Sequence, residues 1–305
     1  MAEPLTLRCA IGKTPEVVPI RKGQAASDRI AFDLVEVNPL PPAFRRMIRD
    51  MEFDLTEMPV VTLAQARERG VPITGLPLPV TRGFHHGSLL CPEDSDIRGP
   101  ADLVGRRIAV RSFPQTTGVW VRGILDREYG IKPEQTRWVV QEDAHVLDYA
   151  EPEYVSYAEP GQSLLDLLKS GAVDAITGFK GSLDGLRSVI PDADSAAGAW
   201  FERTGVFPVN HVLALRSDLL EKAPWLVAEL VDVFSRSLGM ARADGSLVTP
   251  VPAALRDLPL HSYSFSANRP SVQMLLDFAF DQQLFRQRWQ AADLFPEFLA
   301  QEIPD

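Results

Sequence analysis

Residues 107–130 read RIAVRSFPQTTGVWVRGILDREYG. The apolar stretch from Arg107 to Arg111 suits a strand, SFPQTT suits a turn, and the run from about Gly118 to Tyr129 suits a helix stopped by Gly130. A strand that feeds a helix through a short polar turn is the repeating unit of an α/β fold. The same rhythm runs upstream, with strand-like Leu5 to Ile11 and Ile30 to Val37, the amphipathic Phe44 to Met51, and strand-like Phe53 to Met58. Thr62 to Arg69 follows as a short helix ended by Gly70, and Ile73 to Val80 as a strand whose Pro77 and Pro79 favour an edge or an irregular stretch. Downstream, the acidic stretch from Gln141 to Pro160, with Pro152 and Pro160, predicts a loop on a solvated face. Ser163 caps the helix LLDLLKSG, which ends at Gly171 and is followed by the short strand AVDAITG. FPVNHVLAL is a strand, Ser217 begins a long helix, and Pro270 to Gln290 is helical again.

At 305 residues, 45% hydrophobic and 24% charged, the chain has ordinary globular composition and room for two lobes. Its 31 Lys+Arg against 41 Asp+Glu give a net charge of −10, and no basic run appears, so a nucleic-acid partner is not expected. Neither a signal-type segment nor an apolar run of spanning length is present, so the expected compartment is the cytoplasm, with no membrane partner. Cys9 and Cys91 form neither a disulfide framework nor a zinc-ligand cluster, and both suit strands. No phosphate-loop or dinucleotide motif occurs.

Five stretches occur in an order and spacing that resemble the 4,5-dihydroxyphthalate decarboxylase family: MEFDLTEM (51–58), LPVTRGFHHGSLL (78–90), TTGVWVRGILDREYGIKP (116–133), FPVNHVLALRSDLLEKAPW (207–225) and ANRPSVQMLLDFAFDQQL (267–284). The resemblance implies a two-lobed α/β fold like the type II periplasmic binding proteins, with a ligand crevice between lobes. Lobe 1 is then expected from residues 1–104 and 212–305, and lobe 2 from 105–211. It implies decarboxylation of an aromatic carboxylate without a cofactor or metal. A non-catalytic solute-binding protein of the same fold is the alternative, and self-association into a homo-oligomer is left open. Gly12, Lys13 and Thr14, then Phe84, His85, His86, Gly87 and Ser88, depart from the family's usual residues at positions expected to face the ligand.

Removing the carboxylate from a hydroxylated ring requires a proton on the carbon that carries it, together with groups that hold any second carboxylate and assist a phenol. The cluster Arg82 to Ser88 ends an apolar strand, where open α/β sheets bind ligands, and His86 is the first choice of proton donor, ahead of His85 and His211. Thr116 and Thr117 open a helix whose free N–H groups suit a carboxylate; plain N-capping by threonine is the alternative. Lys13, Thr14, Arg82, Ser88 and Arg122 are further candidate contacts, Glu57 a carboxylate for a phenol or a histidine, and Trp120 a stacking platform or a core residue.

Overall fold

A computed structural model describes residues 3–248, 250–301 and 303. From the N-terminus run β1 (Leu5–Ala10), α1 (Val18–Arg21), β2 (Ile30–Leu34), α2 (Pro41–Asp50), β3 (Leu55–Pro59), α3 (Val60–Glu68) and β4 (Ile73–Arg82). The middle of the chain contributes β5 (Leu89–Pro92), β6 (Arg107–Val110), α4 (Thr116–Tyr129), β7 (Arg137–Val140), β8 (Val155–Tyr157), α5 (Leu164–Lys169), β9 (Ala175–Thr177), β10 (Leu186–Ser188) and α6 (Ala193–Thr204). The last third is β11 (Val209–Arg216), α7 (Asp218–Lys222), α8 (Leu226–Ala243), α9 (Phe265–Asp281) and α10 (Pro296–Leu299).

The strands form two sheets, in the orders β2-β1-β3-β11-β4 and β10-β5-β9-β6-β7-β8. Within the first, β1 runs parallel to β2 and β3, and β11 runs antiparallel to β3 and β4. In the second, β9, β6, β7 and β8 are parallel, while β5 opposes β9 and β10. The proline-bearing β4 takes an edge position, where a missing N–H costs no ladder bond.

Lobe boundaries differ from the expected ones. Since β5 already pairs with β9 and β10, the chain leaves the first sheet between Arg82 and Leu89, not near residue 104. It returns just before Val209, where β11 enters between β3 and β4. Pro224 also divides the helix expected from Ser217 into α7 and α8, because proline supplies no N–H to an interior turn. The tail helix ends at Asp281 and therefore stops short of Gln290.

The two lobes share one apolar core. It extends from Leu7, Leu55 and Leu213 in the first sheet to Ile108, Val110 and Trp138 in the second. Across the lobes, α4 crosses α9 at Gly123, and a Cβ there would lie 2.0 Å from a carbon of the Phe278 ring. Gly123→Ala should therefore destabilise the fold by about 1–3 kcal/mol through overpacking. By contrast, Gly239 on α8 has open space around it, and Gly239→Ala should add about 1 kcal/mol by helix propensity. Thermal or urea unfolding of the two variants should move in opposite directions.

Candidate active site

The end of β1, β3 and the start of β11 meet around Glu57, and the start of α4 joins β11 through Asn210, at the strand ends where open α/β sheets bind ligands. Glu57, on β3, is 3% exposed. It accepts hydrogen bonds from the Gly12 amide (2.9 Å) after β1, the Thr81 hydroxyl (2.8 Å) on β4, and His211 Nδ1 (2.6 Å) on β11. Burial pushes the Glu57 carboxyl up, but the bond and charge of His211, the Gly12 amide and Thr81 together leave it below the ordinary carboxylate range. Glu57 therefore stays ionised. A carboxylate only accepts, so Nδ1 of His211 carries the hydrogen and Nε2 is the nitrogen left for chemistry. The His211 side chain keeps 21% exposure, which leaves it reachable from solvent.

The second lobe brings the α4 N-terminus. Its N-cap residue Gln115 makes no side-chain capping bond, and the Thr116 hydroxyl, in a residue 2% exposed, has no partner. Plain N-capping by Thr116 is therefore not what the structure shows. Thr117 instead accepts Asn210 Nδ2 at 3.3 Å, which ties the helix start to the strand residue before His211. Thr177 at the end of β9 also carries a buried hydroxyl oxygen without a partner, and the Gln115 side-chain oxygen is likewise unpaired. Buried polar atoms left unpaired in a native fold need an explanation, and their gathering along these strand and helix ends suits a polar ligand.

The other expected contacts divide. Ser88 lies 3.5 Å from His85, whose Nε2 meets Asn210 Oδ1 at 2.8 Å. Burial pushes His85 down to about 4, against the opposing effect of that bond. His86 sits against Trp200 of α6, ring centroids 5.7 Å apart, with both ring nitrogens buried and unpartnered. It makes no bond to the Glu57 network. Arg82 lies over the Phe207 ring at 4.3 Å and donates to the Phe207 carbonyl, bracing the two crossing segments.

Three residues have structural surroundings. Arg122 lies more than a turn into α4, where α9 packs; its buried guanidinium covers Phe113 and Trp138 and donates to Gln282 Oε1 and the Phe113 carbonyl. Trp120 is fully buried and donates to the Val209 carbonyl, with its ring stacked on His85. Lys13 is exposed and pairs with Glu36 at 3.1 Å on the surface.

The stretch from Gln141 is not simply a solvated face. Arg45 of α2 bonds Glu142 and the Asp143 carbonyl, and Arg49 bonds the Ala144 and His145 carbonyls, so this strap docks on the first lobe. His145 is thereby buried, with Nδ1 2.9 Å from Thr62 Oγ1, and Phe44 stands between its ring and that of His211. Thr81, Asn210 and His145 escaped the sequence reading. The only local signal for Asn210 was a polar residue inside an apolar strand.

No family model matches the chain. Over 95% of its length it is 29% identical to 4,5-dihydroxyphthalate decarboxylase from Comamonas testosteroni, 96% of which is covered. The chain is thus similar in sequence to a 4,5-dihydroxyphthalate decarboxylase over almost all of its length. A second such protein, from Pseudomonas putida, is 28% identical over 57% of this chain and 70% of its own. Among solved structures, the periplasmic aliphatic sulphonate binding protein SsuA from Escherichia coli matches with a TM-score of 0.59 at 15% identity, covering 96% of this chain and 97% of its own. The DSZB C27S mutant in complex with biphenyl-2-sulfinic acid matches at 0.54 with 17% identity, covering 97% and 99%. These structural likenesses show the fold, that of the periplasmic binding proteins.

Burial holds four histidines neutral: His85, His86 and His261 are pushed down to about 4, and His145 well below its usual value. Burial also pushes the carboxyls of Glu16 and Glu151 up to about 7. As pH falls below about 6.5, the unfolded chain protonates histidines that the folded chain keeps neutral, which costs stability. In the same window the folded chain takes up protons on Glu16 and Glu151 before the unfolded chain does, which adds stability. The histidines outnumber the carboxyls, so the urea midpoint should be lower at pH 5 than at pH 7. An equal or higher midpoint at pH 5 contradicts this assignment.

Proposed function

We propose that the chain is a cofactor-independent decarboxylase of a hydroxylated aromatic carboxylic acid resembling 4,5-dihydroxyphthalate. The observation that carries the reading is the buried, ionised Glu57 bonded to His211 Nδ1, beside a helix N-terminus with unpaired polar groups. Its likeness over 95% of the chain to one protein named for that reaction, and over 57% to a second, supports it.

In this mechanism the α4 N-terminus, with Thr116 and Thr117, holds a substrate carboxylate that is retained. Glu57 keeps His211 in the tautomer that presents Nε2 and stabilises the imidazolium. The Nε2 proton passes to the ring carbon bearing the departing carboxylate, while a para hydroxyl, as its phenolate, feeds electrons into the ring. The carbon–carboxylate bond then breaks, its electron pair restores the aromatic ring, and carbon dioxide leaves. Imidazole regains a proton from solvent, so one proton is consumed for each carbon dioxide released. His211 thus takes the donor role first expected of His86, because the structure gives His211 an orienting carboxylate and gives His86 none.

General acid catalysis is worth roughly 100- to 10,000-fold, so His211→Gln should lower turnover by about that factor with a smaller change in affinity. His86→Gln should leave turnover close to that of the unaltered protein. The measurement is carbon dioxide release across a panel of hydroxylated benzoates and phthalates, with ligand-induced thermal shifts recorded alongside. Thermal shifts with no carbon dioxide release from any acid would replace catalysis with solute capture. A turnover loss at His86 and none at His211 would return the donor role to His86.

A further inference from the structure

We propose that Asn210 is a positioning residue that fixes the Thr117 hydroxyl as a hydrogen-bond donor, and so makes the crevice prefer a carboxylate over the corresponding neutral amide. The proposal rests on the reading of the α4 N-terminus as the carboxylate site. Its basis is a chain of four side chains in which each donor determines the next. Buried His85 is neutral and so has one ring N–H. Its Nε2 faces the Asn210 Oδ1 at 2.8 Å, and an amide oxygen only accepts, so the hydrogen is on Nε2 and the Nδ1 lone pair faces the Ser88 hydroxyl. With its oxygen committed to His85, Asn210 turns its NH2 group to Thr117 Oγ1 at 3.3 Å. An NH2 group only donates, so the Thr117 oxygen accepts and its own hydrogen points away from Asn210.

Among the described residues no acceptor takes that hydrogen. Thr117 stands in the first turn of a 14-residue helix, where N–H groups lack partners, and the neighbouring Thr116 hydroxyl is buried and unpaired. A hydroxyl held with its hydrogen outward adds one more donor to a row of donors, which suits a carboxylate. Turned round, it would offer lone pairs and oppose one.

Asn210→Asp performs that reversal, because a carboxylate only accepts and the Thr117 hydroxyl must then donate to it. The probes are 3,4-dihydroxybenzoate and 3,4-dihydroxybenzamide, whose affinities are measured by calorimetry. Asn210→Asp should weaken the benzoate by about tenfold or more, the scale of one charge-assisted hydrogen bond, and the benzamide much less, since its NH2 can donate to the turned hydroxyl. Thr117→Ser should keep the native ratio of the two affinities. In a Thr117→Val background the ratio should no longer respond to Asn210→Asp.

Simple repulsion by the new charge would persist without the hydroxyl, so an unchanged effect of Asn210→Asp in the Thr117→Val background overturns the proposal. If Thr117→Val itself leaves benzoate affinity unaltered, the carboxylate site is wrong and the proposal falls with it. Should Asn210→Asp fail to fold, Asn210→Leu removes the amide without adding charge. It should lower benzoate affinity more than benzamide affinity, and equal losses overturn the proposal.

Discussion

A buried carboxylate must be paired or it will not stay ionised, and Glu57 meets that constraint by accepting from three separate elements. The Gly12 amide comes from the loop after β1, Thr81 from β4 and His211 from β11. These bonds draw the ends of four first-sheet strands to one point. Gly12 is needed there because a Cβ would approach the Glu57 carboxylate to 2.7 Å. The same bonds that offset the cost of burial also fix the histidine tautomer, so the stability of this corner and the proposed chemistry depend on one arrangement.

Local punctuation was legible in the sequence. Gly130 does end α4 in the left-handed conformation, Ser163 does cap α5 with Asp166 as its partner, and the prolines of β4 do mark an edge. Such signals depend on neighbours a few residues away, and a sequence displays those directly. The placement of β5 in the second sheet was not legible, because a four-residue apolar run does not announce its pairing partners. Nor was the choice among histidines. His86 lies in a promising cluster, whereas His211 gains its orienting group from Glu57, 154 positions away, through the antiparallel pairing of β11 with β3. Arg122 misled for a related reason: its helix points at the crevice, but its own face of that helix turns to α9.

The lobes meet at more than the two crossing segments. Gln282 bonds Arg122 and the Val119 carbonyl across the α4 and α9 contact, and the strap from Gln141 is held by Arg45 and Arg49. Buried polar bonds and a glycine fitted to an aromatic ring on one side, with an arginine-held strap on the other, oppose a wide swing of one lobe against the other. Asn210 and His211 are consecutive on β11, one bonded to His85 and Thr117 and the other to Glu57, where the pairing of β11 with β4 shifts register. The proposed function requires that a carboxylate held at α4 through Thr117 and a proton delivered from His211 serve one small ligand, with Asn210 and His211 both built into the sheet. Donors set in place before the ligand arrives need little reorganisation as charge moves in the transition state, which is where such a crevice would gain rate over one that must first close.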